Sequence, residues 1–115
     1  MKIPESVRIG GVEYAIKYEP NLRLGTDLCY GLCKYDDSEI VLSTTDGTGH
    51  QRRCQTLWHE ILHGIRNHAG LVIENEEEVV EMFAKGIYQV LQDNGARLFD
   101  LREETDSSTR CARSE

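Results

Sequence analysis

Apolar and polar residues alternate along Val7–Tyr18: Val7 and Ile9 precede Gly10-Gly11, and Val12, Tyr14, Ile16 and Tyr18 follow it. A period of two places such residues on one face of a strand, and the glycine pair supplies the positive φ of a tight turn. The spacing predicts a β-hairpin, broken by Pro20-Asn21. Leu28–Tyr35 and Glu39–Ser43 read as a second strand pair around the polar turn Asp36-Asp37-Ser38. Thr44–Gly49, with two glycines, reads as a loop.

The period then changes. Cys54, Leu57, Trp58, Ile61, Leu62 and Ile65 recur at helical spacing and predict an amphipathic helix over about Gln51–Arg66, ended by Asn67-His68-Ala69-Gly70. Asn75 reads as an N-cap with Glu78 completing a capping box. Val79, Val80, Phe83, Ala84, Ile87, Val90 and Leu91 form the apolar stripe of a second helix, about Glu76–Gln92, ended by Asn94-Gly95. Strands first and helices after argue for an α+β fold, a small antiparallel or mixed sheet with two helices on one face. Residues 1–100 read as one domain. Residues 101–115 are polar and without period, and read as a disordered tail.

Composition narrows the function classes. Thirteen Lys and Arg against twenty Asp and Glu give a net charge of −7 in 115 residues. That balance argues against nucleic acid or anionic lipid as partner, since those contacts rest on neutralising phosphates. The longest apolar run is three residues, so no membrane span of about 20 apolar residues is expected. Residues 1–11 show no apolar core of a secretory signal. Cys29, Cys33, Cys54 and Cys111 lack the spacing of a disulfide framework or a zinc knuckle and read as free thiols in a reducing, cytoplasmic compartment.

One motif carries chemistry: His59-Glu60-Ile61-Leu62-His63, an H-E-x-x-H on a helix. Residues i and i+4 stand one turn apart on the same face, so two imidazoles can chelate one Zn²⁺ while Glu60 projects beside it. Glu60 can then take a proton from a zinc-bound water as it attacks a carbonyl, and return it to the leaving amine. On a helical wheel both histidines fall roughly 150° from the centre of the apolar face, so they are not core residues.

Such a centre needs a third protein ligand. His68 follows His63 by five residues, a spacing that fits neither the metzincin nor the SprT-like pattern, and reads as a helix C-terminal residue facing the dipole. The alternative is a carboxylate opening the second helix. Glu77 precedes Val80 and Ala84 by three and seven residues and so borders the buried stripe, with Glu81 one turn further on. Glu77 is the first choice, Glu81 is either a supporting acceptor for a zinc histidine or the ligand itself, and His68 stays as an alternative.

The pair QTLWHEILHGI and NEEEVVEMFAKGIYQVLQDN resembles the small zincins of the gluzincin type, most of all the minimal ImmA/IrrE-like metallopeptidases of phages and prophages. The resemblance covers about residues 3–95. Its second motif, E-x-x-[AV]-[DNE]-x-[FL]-A, falls on Glu77, Val80, Glu81, Phe83 and Ala84. It implies His59 and His63 as ligands, Glu60 as catalytic acid/base, Glu77 as third ligand and Glu81 in support. It also implies that Glu39–Ser43 is an edge strand that pairs with an extended peptide substrate. A residue that stabilises the oxyanion is expected as well, with Tyr88 and Tyr35 as candidates.

The expected function is therefore a zinc-dependent endopeptidase acting on a protein or peptide in the cytoplasm, the host's if the chain is phage-encoded. The alternative is a non-catalytic zinc-binding domain of the same fold that recognises a protein partner.

Overall fold

The hairpin forms where the alternation places it. A computed structural model describes residues 1–45 and 47–99. In it β1 (Ser6–Ile9) pairs antiparallel with β2 (Val12–Glu19). Gly10 and Gly11 turn the chain at φ 58° and 83°. Ile9, Tyr14 and Ile16 face inward, whereas Val12 and Tyr18, at the strand ends, stay exposed.

A two-residue ribbon, β3 (Arg23–Leu24) with β4 (Asp27–Leu28), leads to β5 (Gly31–Lys34) and β6 (Glu39–Ser43), which pair antiparallel. The main sheet runs β1-β2-β6-β5, and β6 lies parallel to β2, in register from Ala15 opposite Glu39 to Glu19 opposite Ser43. The expected edge position of Glu39–Ser43 is thus corrected: β6 is an interior strand and β5 is the edge. The physical reason is visible in β6 itself. Ile40, Val41 and Leu42 are all fully buried, so both faces of the strand are covered, which an edge strand seldom achieves.

Helix α1 (His50–Ala69) packs on β1, β5 and β6 through Leu57, which joins the cluster of Ile9, Tyr14, Ile16, Ile40 and Leu42. It continues past Arg66 to Ala69. Gly70 closes it in the left-handed conformation, φ 71°, its N–H donating to the carbonyls of Arg66 and Asn67. Two glycines set how closely helix and sheet approach. A Cβ on Gly64 would stand 2.9 Å from Ile9 Cδ1. One on Gly31 would stand 2.5 Å from Thr56 Cγ2 and 3.3 Å from Glu60 Cγ.

Helix α2 (Glu76–Asn94) packs on α1, burying Val80, Ala84 and Tyr88, and a 3₁₀ turn over Gly95–Leu98 follows. The expected capping box does not form. Asn75 is left-handed, φ 57°, with no side-chain cap bond, although its carbonyl accepts the N–H of Val79 at 3.0 Å. The layers run sheet, α1, α2. The polar side of α1 is consequently a seam between two helices. Among the described residues no helix is long and apolar enough to cross a membrane. The sequence-predicted tail and Cys111 lie outside the described residues.

Candidate metal centre

His59 and His63 point from α1 into the seam, their side chains only 13% and 14% exposed. Their Nε2 atoms stand 3.1 Å apart. Glu77 reaches across from α2, with Oε2 2.9 Å from His59 Nε2 and Oε1 2.7 Å from His63 Nε2. The helical wheel placed these histidines away from the apolar core, and α2 is what covers them.

The far side of each ring is held as well. His59 Nδ1 lies 2.7 Å from Glu81 Oε1, and His63 Nδ1 lies 2.7 Å from Glu76 Oε2. A carboxylate only accepts, so a neutral ring with its one proton on Nδ1 donates it to Glu81 or Glu76. The lone pair of each imidazole is left on Nε2, aimed at the other histidine and at Glu77. Acceptor atoms from three residues therefore converge with no donor among them. That arrangement requires a cation, either a metal ion or protons taken up by the rings.

The donor set fits a metal. Tetrahedral zinc with bonds of about 2.0–2.1 Å spaces its ligands roughly 3.3 Å apart, a few tenths of an ångström beyond the distances here. His59, His63 and Glu77 form a group whose ligand atoms all lie within 4.8 Å of one another. Two nitrogens and a carboxylate suit zinc and other first-row divalent ions.

The titrating groups agree with this geometry. The hydrogen bond from His63 holds the Glu76 carboxyl below its ordinary range, against burial and with help from Arg66. Burial acts to raise Glu81, but hydrogen bonds from His59 and Lys85 bring it below its ordinary range. For His63 burial acts downward, and the Glu76 hydrogen bond with the charges of Glu60 and Glu77 raises it on balance. Arg66 Nε lies 3.0 Å from Glu76 Oε1, a charge contact without the alignment of a good hydrogen bond.

Glu60 differs from all of these. It is 6% exposed, and burial pushes its carboxyl up to about 7 despite the opposing pull of His59 and His63. It lines a cleft of about 240 Å³ together with His59, Glu77 and Glu81, walled by Gly31 on one side and Ala84 on the other. A carboxyl that gains and loses its proton near neutrality can serve as acid and base in turn.

The remaining expected residues stand elsewhere. His68 packs its ring on Gly10, in the turn between β1 and β2, and is outside the His59–His63–Glu77 group. Tyr88 is 3% exposed and lies against Cys54. Tyr35 directs its hydroxyl to the backbone carbonyl of His63, 3.4 Å away. Neither tyrosine lines the cleft. The tyrosine that does is Tyr30, beneath the guanidinium of Arg52. Tyr30 falls within Leu28–Tyr35, which the sequence reads as one strand; the strand is confined to Gly31–Lys34, and Tyr30 lies in the bend just before it. Glu76 is the first acid of α2, and nothing in the spacing distinguishes it from Glu78 as a partner for His63.

Cys29, Cys33 and Cys54 are free. Burial, with Glu60 adding to it, pushes the Cys33 thiol up to about 12, so it stays protonated and is a poor metal ligand. Comparison with protein-family models, with curated protein sequences and with solved structures gives no match to this chain.

Proposed function

We propose that this protein is a zinc-dependent peptidase that hydrolyses a peptide bond in a protein or peptide substrate. The observation that carries the reading is the convergence of His59 Nε2, His63 Nε2 and the Glu77 carboxylate with Glu60 buried alongside. His59, His63 and Glu77 would hold the ion, and Glu81 and Glu76 would keep the two rings in the ligating tautomer. Zinc bound there supplies a Lewis acid that polarises a carbonyl and makes water more acidic.

The rest falls to the chain's own side chains. Glu60 takes the proton of the attacking water and passes it to the leaving amine, a task suited to a carboxyl buried beside the ligands. A purely structural zinc site would have no use for a buried acid at that position. Among the described residues the outer edge of β5 is unpaired in the sheet, and it reaches the cleft at Gly31, so an extended peptide can add to it as a further strand.

The test is to incubate zinc-loaded wild type and Glu60→Gln with a capped peptide library and read new termini by mass spectrometry. Cleavage by wild type alone supports the reading. A fully zinc-loaded wild type that cleaves nothing overturns it in favour of the non-catalytic zinc-binding domain.

A further inference from the structure

The cleft beside the metal centre changes sign along its length. It is lined by His59 with Glu60, Glu77 and Glu81 and, one to two helical turns away, by Arg52 from α1 and Lys85 from α2. Arg52 precedes His59 by seven residues, which returns it to the same helix face roughly 10 Å away. Lys85 follows Glu81 by four, one turn or about 6 Å along α2.

The two cations are not equally engaged. Lys85 Nζ lies 3.4 Å from Glu81 Oε2, a largely exposed pair whose carboxylate also holds His59. Among the described residues Arg52 makes no ion pair with a carboxylate. Its guanidinium is instead seated 4.6 Å over the Tyr30 ring, which restrains the side chain and leaves the N–H fork for an incoming group. On a chain of net charge −7, a pair of cations facing one cleft runs against the general field. Most of the chain's acidic surface would repel an anion, so its recognition has to be local.

Resting on the peptidase reading, we propose that Arg52 and Lys85 bind a carboxylate of the substrate: an Asp or Glu side chain, or the carboxylate ending a peptide. An extended chain advances about 3.3–3.6 Å per residue, so a span of about 6–10 Å places that carboxylate two or three residues from the bond at the metal centre. Arg52 and Lys85 are thus specificity-determining residues, with Tyr30 as the platform that positions Arg52.

The experiment reads binding, apart from turnover. Zinc-loaded Glu60→Gln protein, ¹⁵N-labelled, is titrated with capped alanine pentapeptides carrying Glu, or Gln as the neutral control, at each position. A parallel all-alanine peptide has a free C-terminus. The expected result is that one acidic peptide binds about tenfold more tightly than its neutral control, the scale of one charge-assisted hydrogen bond. That peptide should shift the Arg52 Nε–H resonance, and the preference should vanish in Arg52→Ala/Lys85→Ala and return in part in Arg52→Lys. A best ligand with a side-chain acid, or one with the free terminus, identifies the source of the carboxylate. Equal binding of acidic and neutral peptides, no binding of any peptide, or a preference that survives the double substitution overturns the proposal. Failure of the wild type to cleave would remove the peptidase reading and leave this binding result standing.

Discussion

Glu76 stands against the Nδ1 of His63 at the same 2.7 Å that Glu81 keeps from the Nδ1 of His59, so each imidazole of the centre is backed by its own carboxylate from α2. The first and last of these acids frame Glu77, and the three together present one helix face to the two histidines. Removing a backing carboxylate frees the ring to turn and weakens its lone pair toward a metal. Glu76→Ala and Glu81→Ala should each lower zinc affinity about 10–100-fold, measured by competition with a chromophoric chelator. Unchanged affinity in both would show that the backing contacts do not orient the rings.

Glu77→Ala should lose more than either, because it removes a ligand rather than a support. His59→Ala/His63→Ala should abolish binding, and His68→Ala, whose ring lies on Gly10, should change nothing. Elemental analysis after dialysis checks the series, with about one zinc per wild-type chain as the expected value for a single centre. Zinc lost in His68→Ala and kept in Glu77→Ala would reverse the assignment.

Bound zinc should also raise the melting temperature of wild type and leave the double histidine variant unmoved. At a free concentration a hundred times Kd the gain is about 2.7 kcal/mol. Calorimetric scans with and without chelator read it directly, and an equal response of both proteins would place the ion elsewhere.

The proton on Glu60 makes a pH-dependent prediction for the metal-free protein. Its carboxyl is raised from the ordinary 4.5 to about 7, so the folded chain holds this proton more tightly than the unfolded one. That preference supports folding fully below about pH 4.5 and is lost as pH rises through 7. Glu60→Gln carries no such proton, and the other titrating groups are present in both proteins, with His63 losing only the pull of the Glu60 charge. The stability of Glu60→Gln relative to wild type should therefore climb by about 3 kcal/mol between pH 4.5 and 7.5. Urea titrations in the presence of chelator would show it, and a constant difference across that range would contradict the burial of a titrating carboxyl.

Gly31→Ala should destabilise the fold by about 1–3 kcal/mol, the usual cost of overpacking. The added Cβ would meet Thr56 Cγ2 at 2.5 Å, on a stiff β-branched side chain, and the carbonyl oxygen of Val41 at 3.2 Å, which is backbone. It would also press on Glu60, so under the proposed peptidase reading cleavage should fall further than the loss of stability alone explains. Denaturant midpoints and turnover measured on the same samples separate the two effects.

The amino-acid order by itself determined the local elements and half of the centre. Alternation around Gly10-Gly11 specified the first hairpin, because the period of a strand and the φ of its turn are properties of neighbouring residues. The same holds for His59, Glu60 and His63, which one turn of helix brings together wherever that helix lies. Even the interior place of β6 had a local mark in Ile40-Val41-Leu42, an apolar run without alternation. What only the tertiary structure decided was every relationship between elements. The parallel pairing of β2 with β6 joins strands 24 residues apart in register, and no periodicity encodes which strand lies beside which. The choice of Glu76 and Glu81 as partners for the rings, with Glu77 between the Nε2 atoms, depends on how α2 is rotated against α1. Val80, Ala84 and Tyr88 set that rotation by burial against the neighbouring helix. Four acids in six residues look alike in sequence, and packing puts Glu76 and Glu81 behind the two rings and Glu77 between their Nε2 atoms.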